Sequence, residues 1–374
     1  MAAYQAGLAV AEARARAEPD DSTWQAQVAN GLSDVGRMRA VQGDLAGALD
    51  AFRLAIARWQ QRLVATPDDA KWQSSLAAAH TDLGNTLQQQ GDLSGALVAY
   101  RAALAIDDAL AARDRANTSW QRNLAISHNR VANVLLADGD LAGTLASFRA
   151  ALTINEALAT QDGRNATWQR DVMVAHSEIG RVLTQQGDLG GALRELRAAQ
   201  PIAEAAVARD ASNLMVRRDL AMNRQMLGSV FEQHGDVANA LVEYRAALAL
   251  SDALVAADGD NAMWRADVTS LRTRIGGVLL AAGDVAKGVA ELQIARGLAE
   301  QLAATAPDNP RFQRDLLQVQ YELGEALTTQ GKRADAQAAY RAALVIAERL
   351  AAQAPTDAEA ASDLAEVQAK VSAR

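Results

Sequence analysis

The chain has 374 residues, six prolines, no cysteine, and 45 acidic against 37 basic side chains, for a formal net charge of −8. Without cysteine, disulfides, cysteine-zinc sites and thiol catalysis are excluded. The acidic balance argues against bulk attraction to nucleic acid or anionic lipid.

Half the residues are apolar but only 4% are aromatic, and alanine is abundant, which suits closely packed helices better than a sheet-built core. No run of about 18 apolar residues occurs, and the N-terminal stretch has no basic n-region. No membrane association and a cytoplasmic setting are therefore expected.

A 48-residue step organises the chain. Gly-Asp pairs stand at Gly43, Gly91, Gly139, Gly187, Gly235 and Gly283, with Gly331-Lys332 next. The same step links Trp24, Trp72, Trp120, Trp168, Trp264 and Phe312, with Val216 in the remaining slot. It links Gly36, Gly84, Gly180, Gly228, Gly276 and Gly324, with Ala132 as substitute, and Phe52, Tyr100, Phe148, Leu196, Tyr244, Leu292 and Tyr340. Recurrence at one period marks a repeat array, here covering residues 1–374.

In chain order, residues 1–19 come first. Tyr4, Leu8 and Glu12 precede Phe52, Ile56 and Gln60 by one step, so residues 2–18 read as a second-type helix whose first-type partner is absent. Seven helix-pair units follow over 20–355. In the second of them, Trp72, Leu76, His80, Leu83 and Leu87 fall on one helical face. Asp69 precedes that helix as N-cap, as Asp21, Asn117, Asn165, Asn213, Asn261, Asn309 and Asp357 precede theirs. Gly91 supplies the left-handed stop. A second helix runs from Leu93 to near Arg113, with Ala96, Leu97, Tyr100, Ala103 and Leu104 on one face. Neither helix buries its apolar stripe alone, so adjoining units must stack. Residues 356–374 form a lone first-type helix. The incomplete ends are read as caps or as the edges of a larger protein, and alternatively as halves that complete one another head to tail in filaments or rings.

Gly84, Ala96, Tyr100 and Ala103 have the spacing of the tetratricopeptide repeat, and the chain resembles that family over nearly its whole length. Its 48-residue unit is longer than the usual 34 of the family, like long-unit bacterial members and, more distantly, the kinesin light chain repeats. The resemblance implies an all-α, right-handed superhelical solenoid that scaffolds protein interactions. The implied partner is a peptide segment or a neighbouring domain, held as part of a regulatory or sensory arm.

Chemistry of other kinds finds little support. His80, His128 and His176 share a column, but stacked helices lie 8–10 Å apart, too far for ligands that meet within about 2.1 Å of a zinc ion. They read as packed histidines, so no metal is expected. Gly324 to Lys332 lacks the four-residue spacing and the Ser or Thr of a phosphate loop. No nucleophile-and-base spacing emerges, so neither an enzyme nor a cofactor is expected. The columns Arg53, Arg101, Arg149, Arg197, Arg245, Arg341 and Asp108, Glu156, Glu204, Asp252, Glu300, Glu348 are expected to pair between neighbouring repeats.

By resemblance, a concave groove is lined three residues before and one after the first-helix glycine. Those positions hold Ser33, Thr81, Asn129, Ser177, Gln225, Thr273 and Tyr321, then Arg37, Asn85, Asn133, Arg181, Ser229, Gly277 and Glu325. The cluster of Asn85, Asn129 and Asn133 is the leading candidate for peptide contacts, because asparagine offers donor and acceptor together. The family's carboxylate clamp is not reproduced. Lys71, Lys287, Lys332 and Lys370 are expected outside the groove of any complete repeat.

Overall fold

The computed structural model describes residues 2–19, 21–355 and 357–372. Expected boundaries at 1, 20, 356 and 374 lie outside the described residues. Among these, sixteen α-helices and no strand occur. They are α1 (Ala2–Ala17), α2 (Ser22–Val41), α3 (Leu45–Ala65), α4 (Ala70–Gln90), α5 (Leu93–Arg113), α6 (Thr118–Ala137), α7 (Leu141–Gln161) and α8 (Ala166–Gln185). There follow α9 (Leu189–Arg209), α10 (Leu214–Gln233), α11 (Val237–Ala257), α12 (Ala262–Ala281), α13 (Val285–Thr305), α14 (Pro310–Thr329), α15 (Arg333–Gln353) and α16 (Ala358–Ser372).

The junctions are set locally. Asx side chains at all eight expected positions accept from backbone N–H groups two or three residues on, as Asp69 does from Lys71 and Trp72 at 3.0 and 3.1 Å. At the other end Gly91 has φ of +88°, and the amide of Asp92 reaches back to the Leu87 carbonyl at 2.9 Å, which ends the helix in a Schellman-type turn. Nothing lies within 4 Å of where a Cβ would stand at Gly91, so backbone conformation alone calls for glycine there.

The aspartate of each Gly-Asp pair has a task that the period alone does not reveal. It caps the second helix, Asp92 accepting from the Gly95 amide at 2.8 Å and Asp140 from Gly143 at 2.9 Å. Lys332, which replaces it before α15, makes no such bond.

The chain divides into two compact units, residues 1–182 and 183–374. The uniform repeat gives no sign of the division. In the first unit Leu49 of α3, Leu87 of α4, Tyr100 of α5 and Val131, Val134 and Leu135 of α6 share one cluster, so α4 and α5 are buried by the helices on either side. In the second, Leu292 of α13, Leu323 and Leu327 of α14 and Tyr340 of α15 do the same. The aromatic or leucine column is the inner wall, from 0 to 4% exposed at all seven positions from Phe52 to Tyr340.

Gly84 lets Tyr100 lie against its backbone: a Cβ there would be 2.7 Å from the ring. Of the tryptophan column, Trp72 and Phe312 are buried, while Trp24, Trp120, Trp168 and Trp264 are half-buried near the starts of the first helices. Trp72 packs on Trp59, with ring centroids 6.4 Å apart, and carries the Arg62 guanidinium over its face.

Candidate interaction surface

The first helix of each pair positions the candidate residues. In the first unit Arg37, Asn85 and Asn133 are exposed, and Thr81, Asn129, Ser177 and Arg181 are half-buried. In the second, Gln225, Ser229, Gly277, Tyr321 and Glu325 are half-buried. Two positions depart from the expectation. Ser33 and Thr273 are each only 7% exposed, and the Thr273 hydroxyl donates to the Thr269 carbonyl of its own helix. Both side chains are thus largely withdrawn from the open face.

The position after the glycine is partly committed to the fold. Asn85 accepts the Tyr100 hydroxyl at 2.7 Å, and Glu325 accepts that of Tyr340. Burial pushes the Tyr340 hydroxyl, with help from Glu325, up to about 12. Glu325 also takes the Lys370 ammonium at 2.7 Å, and Tyr321 donates to Glu366 at 2.7 Å with Lys370 over its ring. Lys370 therefore reaches the candidate face of the seventh pair, contrary to its expected place outside any complete repeat. Asn133 stands in the same column as Asn85, but its repeat carries Phe148, with no hydroxyl to hold. One turn earlier on α6, the Asn129 Oδ1 is buried without a hydrogen-bond partner.

Between these positions runs a set of cross-repeat ion pairs. Arg37 joins Asp34 of its own helix to Asp82 of the next first helix, the latter at 2.6 Å. Arg122 reaches Asp171 at 2.8 Å, and Arg218 reaches Asp267 at 3.4 Å. In both, aspartate follows arginine by 49 residues, so each rung ties one first helix to the next. That step joins two adjacent columns, so no single column shows it.

The outer columns pair differently from expectation. Arg53 and its column mates are exposed; Arg53 meets Asp50 of its own helix, and Arg197 lies over the Phe231 ring. The acidic column instead faces the histidine column of the following first helix, 20 residues on. Glu156 lies 3.8 Å from His176, Glu204 2.8 Å from Arg224, and Asp252 3.6 Å from Arg272. The reason is direction: the arginine column points outward, whereas the acidic column points at the next pair. Such half-exposed pairs contribute about 0.2–1 kcal/mol each.

Histidines replace the arginines of this column in the first unit. Burial lowers the pKa of His80, whose Nδ1 lacks a partner, and also that of His128, against the opposing pull of Asp108. A histidine whose folded pKa lies below its unfolded value adds stability that is present above pH about 6.5 and lost as pH falls below that. The first unit is thus expected to melt earlier as pH drops from about 7 to about 5. The drop should shrink in the double variant His80→Gln, His128→Gln, glutamine being native to this column at Gln320. Comparing the variant with the parent matters, because burial raises the carboxyls of Asp82 and Asp107 and so contributes with the opposite sign. An identical pH slope in both proteins would refute the assignment.

Among the described residues, no group of three or more His, Asp or Glu side chains is placed to hold a metal ion. Among the same residues, no helix is long and apolar enough to cross a membrane.

A tetratricopeptide repeat family model matches residues 76–106, most of α4 and the first two-thirds of α5. No curated protein sequence matches the chain. Among solved structures, BtubC from P. vanneervenii is 19% identical with a TM-score of 0.54, over 71% of this chain and 93% of that one. The apo form of RapI is 14% identical with a TM-score of 0.55, over 87% and 99%. Aspartyl phosphate phosphatase F from Bacillus subtilis is 11% identical with a TM-score of 0.54, over 88% and 73%. At these identities the likeness carries the all-α helical-repeat fold. The helix pair within residues 76–106 thus matches the tetratricopeptide repeat, and its glycine, aromatic and cap residues recur every 48 residues along an all-α helical-repeat chain.

Proposed function

We propose that the chain is a protein-interaction scaffold that binds an extended segment of a partner protein along its first-helix faces, as a regulatory or sensory arm. The observation that carries this reading is the amide pair on α6. Asn129 keeps an acceptor without a partner, and Asn133, one turn on, is exposed with no tyrosine to hold. An extended backbone offers alternating N–H and C=O groups that such amides can meet. Most other cations on these faces are already paired with carboxylates of the chain itself, so backbone recognition suits the surface better than attraction to a strongly acidic partner.

The test is a display library of random peptides selected against the full chain. Selected peptides should bind the triple variant Asn85→Ala, Asn129→Ala, Asn133→Ala at least about tenfold more weakly, a loss of about 1.4 kcal/mol. Arg101→Ala and Arg149→Ala, on exposed second-helix faces, should leave affinity unchanged. Equal binding to the triple variant and the parent would remove the reading.

A further inference from the structure

In the second unit no 49-residue rung forms between α12 and α14, and a cavity opens there. Arg218 of α10 reaches Asp267 of α12. Arg314 of α14 pairs with Asp357, the cap of α16, and with Glu359 at 3.3 Å. On α12 the arginine position holds Ala266, which is buried, so Asp315 of α14 receives no guanidinium from the preceding pair. There lies a cavity of about 420 Å³, walled by Thr269, Ser270 and Thr273 of α12 and by Asp315, Gln318 and Glu322 of α14. That volume is within the usual range for small-ligand sites, about 300–1,000 Å³.

Charge decides what the cavity suits. Three arginines also border it, but Arg314 is held by Asp357 and Glu359, Arg274 leans 3.8 Å from Glu232, and Arg311 contacts the Met263 sulfur. The carboxyls of Asp315 and Glu322 both sit above the ordinary range, burial being the main cause in each. The charges of Arg311 and Arg274 offset only part of it. Arg314 and Arg274 are thus already turned to other carboxylates, which leaves Asp315 and Glu322 as the acceptors that line the cavity.

We propose that this cavity takes the guanidinium of an arginine in the bound protein segment, which pairs with Asp315 and so completes the missing rung, with Glu322 as a second acceptor. This rests on the peptide-binding reading above and names the side chain recognised. Arginine fits better than lysine because its planar fork can engage a carboxylate through two N–H groups, as Arg122 does with Asp171.

The test titrates the full chain, methyl-labelled at threonine and valine, with N-acetyl-arginine methylamide and with the isosteric, uncharged citrulline compound. The Thr269, Thr273 and Val319 methyl signals, which line the cavity, should shift saturably with the arginine probe and at least about tenfold more weakly with citrulline. Asp315→Asn should abolish the shift. Ala266→Arg should abolish it too, filling the rung from within, and its melting temperature should equal or exceed the parent's, which guards against loss of fold. Equal shifts with citrulline, or undiminished binding by Asp315→Asn, overturn the proposal. If display-selected peptides depend on the asparagines but bind Asp315→Asn like the parent, the arginine inference alone fails. If the asparagine variant binds those peptides like the parent, it is the peptide reading that fails.

Discussion

Tyr244→Ala is expected to lower the unfolding free energy of the second unit by about 3–5 kcal/mol, the range for truncating a fully buried aromatic ring. Tyr244 is 0% exposed, and its ring rests on the backbone of α10 at Gly228. Its hydroxyl donates to Glu232 at 2.6 Å, and burial together with that bond pushes its pKa well up. Alanine removes the ring that joins the two helices of the pair and leaves a cavity between them. Phenylalanine removes only the hydroxyl, and Glu232, a third exposed, can regain water, so Tyr244→Phe should cost only about 1 kcal/mol. Urea unfolding followed by circular dichroism measures both. In a stack stabilised by nearest-neighbour contacts, the alanine variant should also show its second unit unfolding ahead of the first. A difference between the two variants of less than about 1 kcal/mol would mean that the ring is not the support claimed here.

Gly228→Val is expected to cost about 1–3 kcal/mol by overpacking, although valine is the better helix former. A Cβ alone at this position would lie 2.6 Å from Tyr244 Cδ1 and 2.7 Å from Cε1, inside contact distance, and the hydroxyl bond to Glu232 keeps the ring from swinging away. Valine adds two methyl groups to that clash. The column supplies its own control at Ala132, which is 0% exposed in the repeat that carries Phe148. There Ala132→Gly should destabilise by about 0.5–1 kcal/mol, through the greater freedom of glycine in the unfolded chain. Thermal melts of both variants decide the matter: a Gly228→Val protein as stable as the parent would show that ring and helix are not in the contact described.

Features that depend on neighbours along the chain were legible in the order of the residues. The Asx caps from Asp21 to Asp357, the turn glycine at Gly91 and the second helix from Leu93 to Arg113 all follow from hydrogen bonds and backbone freedom within a few residues. The 48-residue column of Phe52, Tyr100 and Tyr244 likewise announced the buried wall, because a period in sequence becomes a period in space once helices stack.

Contacts between different columns of the repeat were not visible. The acidic column meets the histidine and arginine column 20 residues on, and the ladder steps by 49 rather than 48, so neither pairing lines up in a single column. Equally hidden was which polar side chains of the first helices are already spent. Ser33 and Thr273 are covered, Asn85 holds Tyr100, and Asn129 keeps a buried acceptor with no partner, although the repeat pattern assigns all four to one groove-lining face. The sequence by itself determined helices, caps and stacking period. Only the tertiary structure decided which polar groups remain open, because a side chain is satisfied or left free by what the adjoining helix places within about 3 Å of it.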